Sequence, residues 1–186
     1  MRLYRTLLSA YWILLTAGSA YAGNFNIEKS QSELAATMHA SPSHDFTSVA
    51  KDYTCDIEIA PDTLTIKEAV CRFNFADLDS SKNSRDKKMR SWVDVKKHPT
   101  AKFVFEKNLP DTKSGEHVAK GTFSMHGMEH PITITYTLKN KDGEVILDGH
   151  TEFNHKNWGL DQVRLLFFSV DPVIKPHFHL VGKLDN

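Results

Sequence analysis

The run Ile132-Thr133-Ile134-Thr135-Tyr136-Thr137-Leu138 alternates large apolar side chains with threonine without a break. Successive side chains on a strand point to opposite faces, so this segment has a dry face of Ile132, Ile134, Tyr136 and Leu138 and an opposing face of hydroxyls. β-branched and aromatic residues fill every position but the last, which predicts a half-buried strand. The same period extends in both directions. Upstream, Ala101, Phe103 and Phe105 alternate with Lys102, Val104 and Glu106; residues 109–115 read as a turn, and 120–126 carry Phe123 and Met125 on one face before a second turn at 127–131. Downstream, 140–143 is a turn, 144–153 a strand with Gly149 as a bulge, and the apolar run 165–170 and the segment 173–184 complete the series. Many short strands with no helix between them predict an all-β antiparallel sandwich or barrel.

Ahead of residue 100 the pattern breaks once. Residues 83–97 hold Met89, Trp92 and Val93 at helical spacing, with Ser84 as N-cap and Pro99 as a stop, and predict one short helix at an end of the sheet. The tract 25–40 fits a strand through Leu34, Ala36 and Met38 and a helix through the composition of 33–38; residues 40–44 read as a loop. Two further strand-like runs, 53–59 and 66–75, flank a turn around Pro61. A hairpin centred on Thr63 sets Cys55 opposite Cys71 and Ile57 opposite Ala69, and it also sets Glu58 against Glu68. The register therefore predicts a disulfide; two buried free thiols are the alternative.

The chain has 186 residues, 40% of them hydrophobic, enough for one packed domain, and neither a repeat nor a linker divides it. Its 23 basic and 23 acidic side chains cancel, which removes the electrostatic argument for a nucleic-acid or anionic-membrane partner. Arg2 and Arg5, the apolar run 7–17 and Ala20-Tyr21-Ala22 together read as a secretory leader over residues 1–22, shorter than a membrane span, with the domain proper at 23–186. Its removal leaves 21 basic against 23 acidic side chains and places the cysteines in an oxidising compartment, periplasmic or extracellular.

Residues that could carry chemistry are few. The chain contains no Gly-rich phosphate loop, G-x-S-x-G elbow, Cys-x-x-Cys pair or H-E-x-x-H, so it does not read as an enzyme. His177 and His179 share a strand face and could offer two imidazoles to Zn or Cu, with His150 or His155 as a third; otherwise they are a solvated face. The charged stretch 81–90 is the wet side of a helix or, at a barrel mouth, a set of cations (Lys82, Arg85, Lys87, Lys88 and Arg90) for a phosphate or diphosphate headgroup.

Asn83, Arg85-Asp86, Met89-Arg90, Val95, Pro99 and Phe103-x-Phe105, followed by Gly121-Thr-Phe-Ser-Met-His126-Gly127 and Pro131-Ile132-Thr133-Ile134, resemble the signature of the YceI-like family of exported lipocalin-like proteins. Trp158-Gly159 and the strand from Val170 to Ile174 fit as well. The resemblance implies an eight-stranded antiparallel lipocalin-like barrel with a short helix near an opening and an apolar channel for a polyisoprenoid or similar amphiphile; it also favours strand for 25–40. Phe73, Phe75, Phe103, Phe105, Phe123, Ile134 and Tyr136 lie on apolar faces and are the candidate liners, or else plain core. An eight-stranded barrel is about the smallest that can hold a ligand.

The reading that follows is non-catalytic binding or transport of an isoprenoid-like lipid, of quinone or polyprenyl type, with no cofactor required and no nucleic-acid partner. A homodimer stays open, and the rivals are a His-based metal-binding protein and a ligand-free interaction module on the same barrel. N-terminal sequencing of the exported protein is expected to begin Gly23-Asn24-Phe25; a chain that starts at Met1 after export would exclude cleavage of the leader.

Overall fold

The structure, a computed structural model, describes residues 22–42, 44–113, 115–165 and 168–185; the leader read over 1–22 lies outside them but for Ala22. Eight antiparallel strands form the barrel: β1 (Gly23–Ile27 and Glu33–Ser41), β2 (His44–Ala50 and Tyr53–Ala60), β3 (Thr65–Asn74 and Leu78–Asp79), β4 (Thr100–Lys113), β5 (Glu116–Met125), β6 (Met128–Lys141), β7 (Glu144–His150) and β8 (Phe168–Leu184). Short breaks, among them the 3₁₀ turns Lys29–Gln31 and Phe75–Asp77, interrupt the first three strands without changing their neighbours. Each strand pairs with the next in sequence, and β8 closes the ring on β1, with Phe25 opposite Leu184 and Leu34 opposite Phe178. Two-residue turns with positive φ at both positions, His126-Gly127 and Asp142-Gly143, join β5 to β6 and β6 to β7. One helix, α1 (Asn83–Trp92), lies between β3 and β4.

Several local expectations change. The helix ends at Trp92, and turns occupy the rest of 83–97; its N-cap is Lys82, with Ser84 already inside it. Residues 109–115 are not a simple turn, because β4 runs on to Lys113, opposite Glu116, through an irregular register. The turn read at 127–131 shrinks to His126-Gly127, and the separate segments 165–170 and 173–184 give way to β8, which begins at Phe168. Gly149 makes no bulge; it stays in register between Tyr136 and Phe178. The tract 25–40 is mostly strand, and the stretch 40–44 falls in the hairpin that pairs Ala40 with His44.

The β2–β3 hairpin has the register expected from the cysteines, Cys55 opposite Cys71 and Glu58 opposite Glu68, and the disulfide is formed. Beyond Glu58 the ladder slips by one residue, so Ile59 faces Ile66. On its other side β3 pairs with β4 only as far as Val70 opposite Val104, and the Ile66 backbone groups beyond that ladder are satisfied by side chains. The Ile66 N–H donates to the Tyr136 hydroxyl at 3.2 Å, this hydroxyl donates to Asn108 Oδ1 at 2.8 Å, and Asn108 Nδ2 donates back to the Ile66 carbonyl at 2.8 Å. Ile66 and Tyr136 of this closed polar ring sit in an apolar cluster that includes Phe25, Ile59, Leu138 and Val145, Asn108 is exposed, and burial pushes the Tyr136 hydroxyl pKa up. A second cluster fills the other end around Trp158, whose indole N–H donates to the Phe123 carbonyl and whose ring meets Phe153 and Phe123.

His155, 1% exposed, packs edge-on against the Trp92 ring with centroids 4.8 Å apart, and its Nδ1 lies 3.1 Å from the Leu160 carbonyl. Burial lowers its pKa below the ordinary 6.5, the nearby Lys156 charge acts in the same sense, and the bond to Leu160 opposes both. The folded state therefore resists protonating a group that the unfolded chain protonates freely. The stability this contributes is whole above pH 6.5 and is lost as pH falls from there through the lowered folded value. Urea midpoints are accordingly expected to drop more steeply from pH 7 to about pH 5 in the wild type than in His155→Leu, and equal slopes would remove His155 as the cause. Loss of the disulfide in Cys55→Ala/Cys71→Ala is expected to lower unfolding free energy by about 3 kcal/mol, the value for a loop of roughly this length, in the same urea assay.

Candidate functional site

Residues of both clusters line an apolar cavity of about 180 Å³ inside the barrel, in which a water-sized sphere can be centred. Its wall is built from alternate, inward-facing positions, as period two requires. Phe73, Phe75, Phe103, Phe105, Phe123, Ile134 and Tyr136 all line it. Leu34, Ala36 and Met38 of β1, Phe178 of β8 and Met89, Trp92 and Val93 from α1 and its C-cap complete much of the rest, and both cysteines of the disulfide face it. Among the described residues no Asp, Glu, Lys, Arg or His lines it. A cavity this poor in polar partners holds water badly and hydrocarbon well.

Its shape is long and thin. Liners on β3 run from Ile66 to Phe75, about 30 Å along a strand and roughly 20 Å along the axis after allowing for tilt. Spread over that length, 180 Å³ leaves a cross-section of about 9 Å² for the sphere's centre, room for one hydrocarbon chain in single file. Two glycines keep the bore open. The Phe103 ring lies across Gly121 and the Phe178 ring across Gly149, where an added Cβ would come within 2.3 Å and 2.2 Å of ring carbons. With hydrogen in place of a methyl at these two points, both rings lie flat on the wall. Small liners such as Ala69 and Ala119 leave the remaining space.

The basic residues of the helix stand elsewhere. Arg85 donates through Nε and Nη2 to Ser80 at 2.8 and 2.6 Å, and its guanidinium sits 4.3 Å above the Phe46 ring. Arg90 donates to the Ala76 carbonyl at 3.0 Å, and buried Asp86 accepts from the Ser80 N–H and hydroxyl. These three side chains fasten α1 to the segment before it. Lys82, Lys87 and Lys88 are exposed, and none of the five cations lines the cavity.

Of the four candidate histidines only His150 and His177 come together, on one cleft with His130. His179 Nδ1 is 2.6 Å from Asp148, His177 is 4.0 Å from Glu33, His150 sits across the ladder from His177, and His155 is buried in a 3₁₀ turn. Among the described residues no three His, Cys, Asp or Glu side chains are placed to hold a metal ion. The wall residues that the sequence left unassigned were visible as patterns only: Leu34, Ala36 and Met38 alternate in an ambiguous tract, and Met89, Trp92 and Val93 read as an ordinary helix face.

Known proteins place this architecture. A search of curated proteins finds no match. Among solved structures, BcnA of Burkholderia cenocepacia superposes with a TM-score of 0.75 at 16% identity, covering 85% of this chain and 100% of its own. A YceI protein of Campylobacter jejuni gives 0.66 at 15% identity over 96% of this chain and 100% of its own. A polyisoprenoid-binding domain from Saccharophagus degradans, implicated in plant cell wall breakdown, gives 0.63 at 11% identity over 89% and 100%. At these identities the superpositions establish a shared fold. The YceI-like domain model matches residues 25–181, nearly the whole barrel, and the chain belongs to the YceI-like family.

Proposed function

We propose that this protein binds and carries an isoprenoid-like amphiphilic lipid, of quinone or polyprenyl type, without catalysis, in the periplasm or outside the cell after cleavage near Ala22. The observation that carries the reading is the single-file bore with an uncharged wall, which matches a flexible hydrocarbon chain better than a compact solute. The superposition on a polyisoprenoid-binding domain supports it, as does membership of the family. In this reading Phe73, Phe75, Phe103, Phe105, Phe123, Ile134 and Tyr136 contact the chain. Arg85 and Arg90 are engaged in holding α1, so of the five cations named for a headgroup Lys82, Lys87 and Lys88 are left with that role.

Burying a chain from water is worth about 0.8 kcal/mol per methylene, and a bilayer offers nearly the same, so transfer between bilayer and protein is close to balanced. Balance suits a shuttle or store, since a tight trap would never release its load.

Native mass spectrometry and organic extraction of freshly exported protein are expected to show a co-purifying prenyl lipid, and stripped protein is expected to take up a fluorescent prenyl lipid on titration. Ile134→Trp, which fills the bore from a half-buried position, is expected to weaken uptake at least about tenfold with the β-sheet circular dichroism unchanged. A lipid-free protein that also ignores added prenyl lipid would overturn the reading, and normal uptake by folded Ile134→Trp would move the chain out of this cavity.

A further inference from the structure

Charge is balanced over the whole chain but not over its surface. Residues 82–97, α1 and the turns that follow it, carry seven basic side chains and two acidic ones, whereas the rest of 23–186 carries 14 basic and 21 acidic. The segment lies across one end of the barrel. Arg90 reaches the Ala76 carbonyl, the Trp92 indole N–H donates to the Asp161 carbonyl at 2.7 Å, and the His98 ring meets that of His126 in the β5–β6 turn with centroids 4.6 Å apart. The hairpin turns after Ala60, Lys113 and Lys141 are all at the opposite end. Arg85, Arg90 and Asp86 are engaged within the fold, so the charges left facing solvent are Lys82, Lys87, Lys88, Lys96 and Lys97 against Asp94. Among the described residues none of these five lysines forms an ion pair. Even with the bordering Asp77, Asp79, Glu129 and Asp161 counted, and Lys51 and Lys156 beside them, basic side chains at this end outnumber acidic ones nine to six.

An exposed apolar side chain adjoins the lysines. Met128, directly after the turn that His98 touches, is 46% exposed, and its sulfur lies over Gly159. The other large apolar side chain exposed among the described residues, Val173 at 36%, is in the same half of the barrel, opposite Asn154. We infer that this end of the barrel docks on an anionic phospholipid bilayer, with the lysines over the headgroups and Met128 at the acyl boundary. A diffuse negative surface attracts unpaired ammonium groups without demanding a fitted geometry, and long lysine stems can lie on apolar surface while their charges stay wet. A nucleic acid is a poorer match, because the arginine forks that grip phosphate in pairs are turned inward here and Met128 would find no apolar partner on the backbone. The inner side of the same segment gives Met89, Trp92 and Val93 to the channel wall, so a docked bilayer lies about one helix diameter, roughly 10 Å, from the channel. The assignment does not depend on what the channel holds.

The intact exported protein is expected to float with phosphatidylcholine vesicles that contain phosphatidylglycerol and not with vesicles of phosphatidylcholine alone. At about 1 M salt, where charges are screened beyond roughly 3 Å, binding is expected to fall to the phosphatidylcholine level. A lysine near such a surface is worth about fivefold in partitioning, so Lys87→Gln/Lys88→Gln and Lys96→Gln/Lys97→Gln are each expected to weaken binding about 25-fold. Lys139→Gln/Lys141→Gln, at the opposite end, is expected to stay within about twofold of wild type, and Met128→Ser to lose about threefold with its salt dependence unchanged. Equal affinity for the two kinds of vesicle, equal losses from the two ends, or normal binding by the variants in 82–97 would each overturn the assignment. Unchanged partitioning of Met128→Ser would overturn its apolar half. No flotation with either vesicle would overturn all of it, and retention of that protein on heparin would then give the lysines to a soluble polyanion.

Discussion

Closure of β8 on β1 is the contact on which everything else in this molecule depends. The 17 residues of β8 pair with β7 on one side and with both halves of β1 on the other, so this strand completes the cylinder along much of its length. Without it the sheet would have two free edges and an apolar face open to water, a template for association with other chains. The ring also converts alternation into a radial rule. Every second side chain is committed to the interior, and the interior can take only so much volume.

That limit is handled differently along the axis. At both ends large side chains interlock, and the buried Tyr136 hydroxyl is paired with Ile66 and with the exposed Asn108. Midway, glycine and alanine take positions that larger residues could fill, and the phenylalanine rings flatten against the wall. A Leu or Ile at Ala69 or Ala119 would fill the bore, and any side chain at Gly121 or Gly149 would collide with the ring that crosses it. The unfilled volume is thus held open by dense packing above and below it.

Much of this was legible in the chain. Period two in 101–106 and 132–138 gave strands and put Phe103, Phe105, Ile134 and Tyr136 on inward faces, and the spacing of Cys55 and Cys71 about Thr63 gave a hairpin register that holds through Glu58. Other features depend on neighbours that sequence does not specify. Arg85 and Arg90 look like available cations until the Ser80 and Ala76 carbonyls turn out to lie beside them. Gly149 looks like a bulge because a missing side chain in a strand has two explanations, and the second, a ring from β8 resting on it, needs the partner strand. The helix boundary failed for a related reason: Val93 keeps helical spacing as the C-cap although the helix has ended.

The polar ring at Tyr136 has one more consequence. It lies where the bore reaches Ile66 and Tyr136, with Asn108 open to solvent on its far side, and its hydroxyl and amide groups are already satisfied by one another. An apolar terminus resting against such a triad loses nothing, whereas a polar one would find every partner there already engaged. The triad thus sorts the two ends of any amphiphile that enters, and it does so with neutral groups alone.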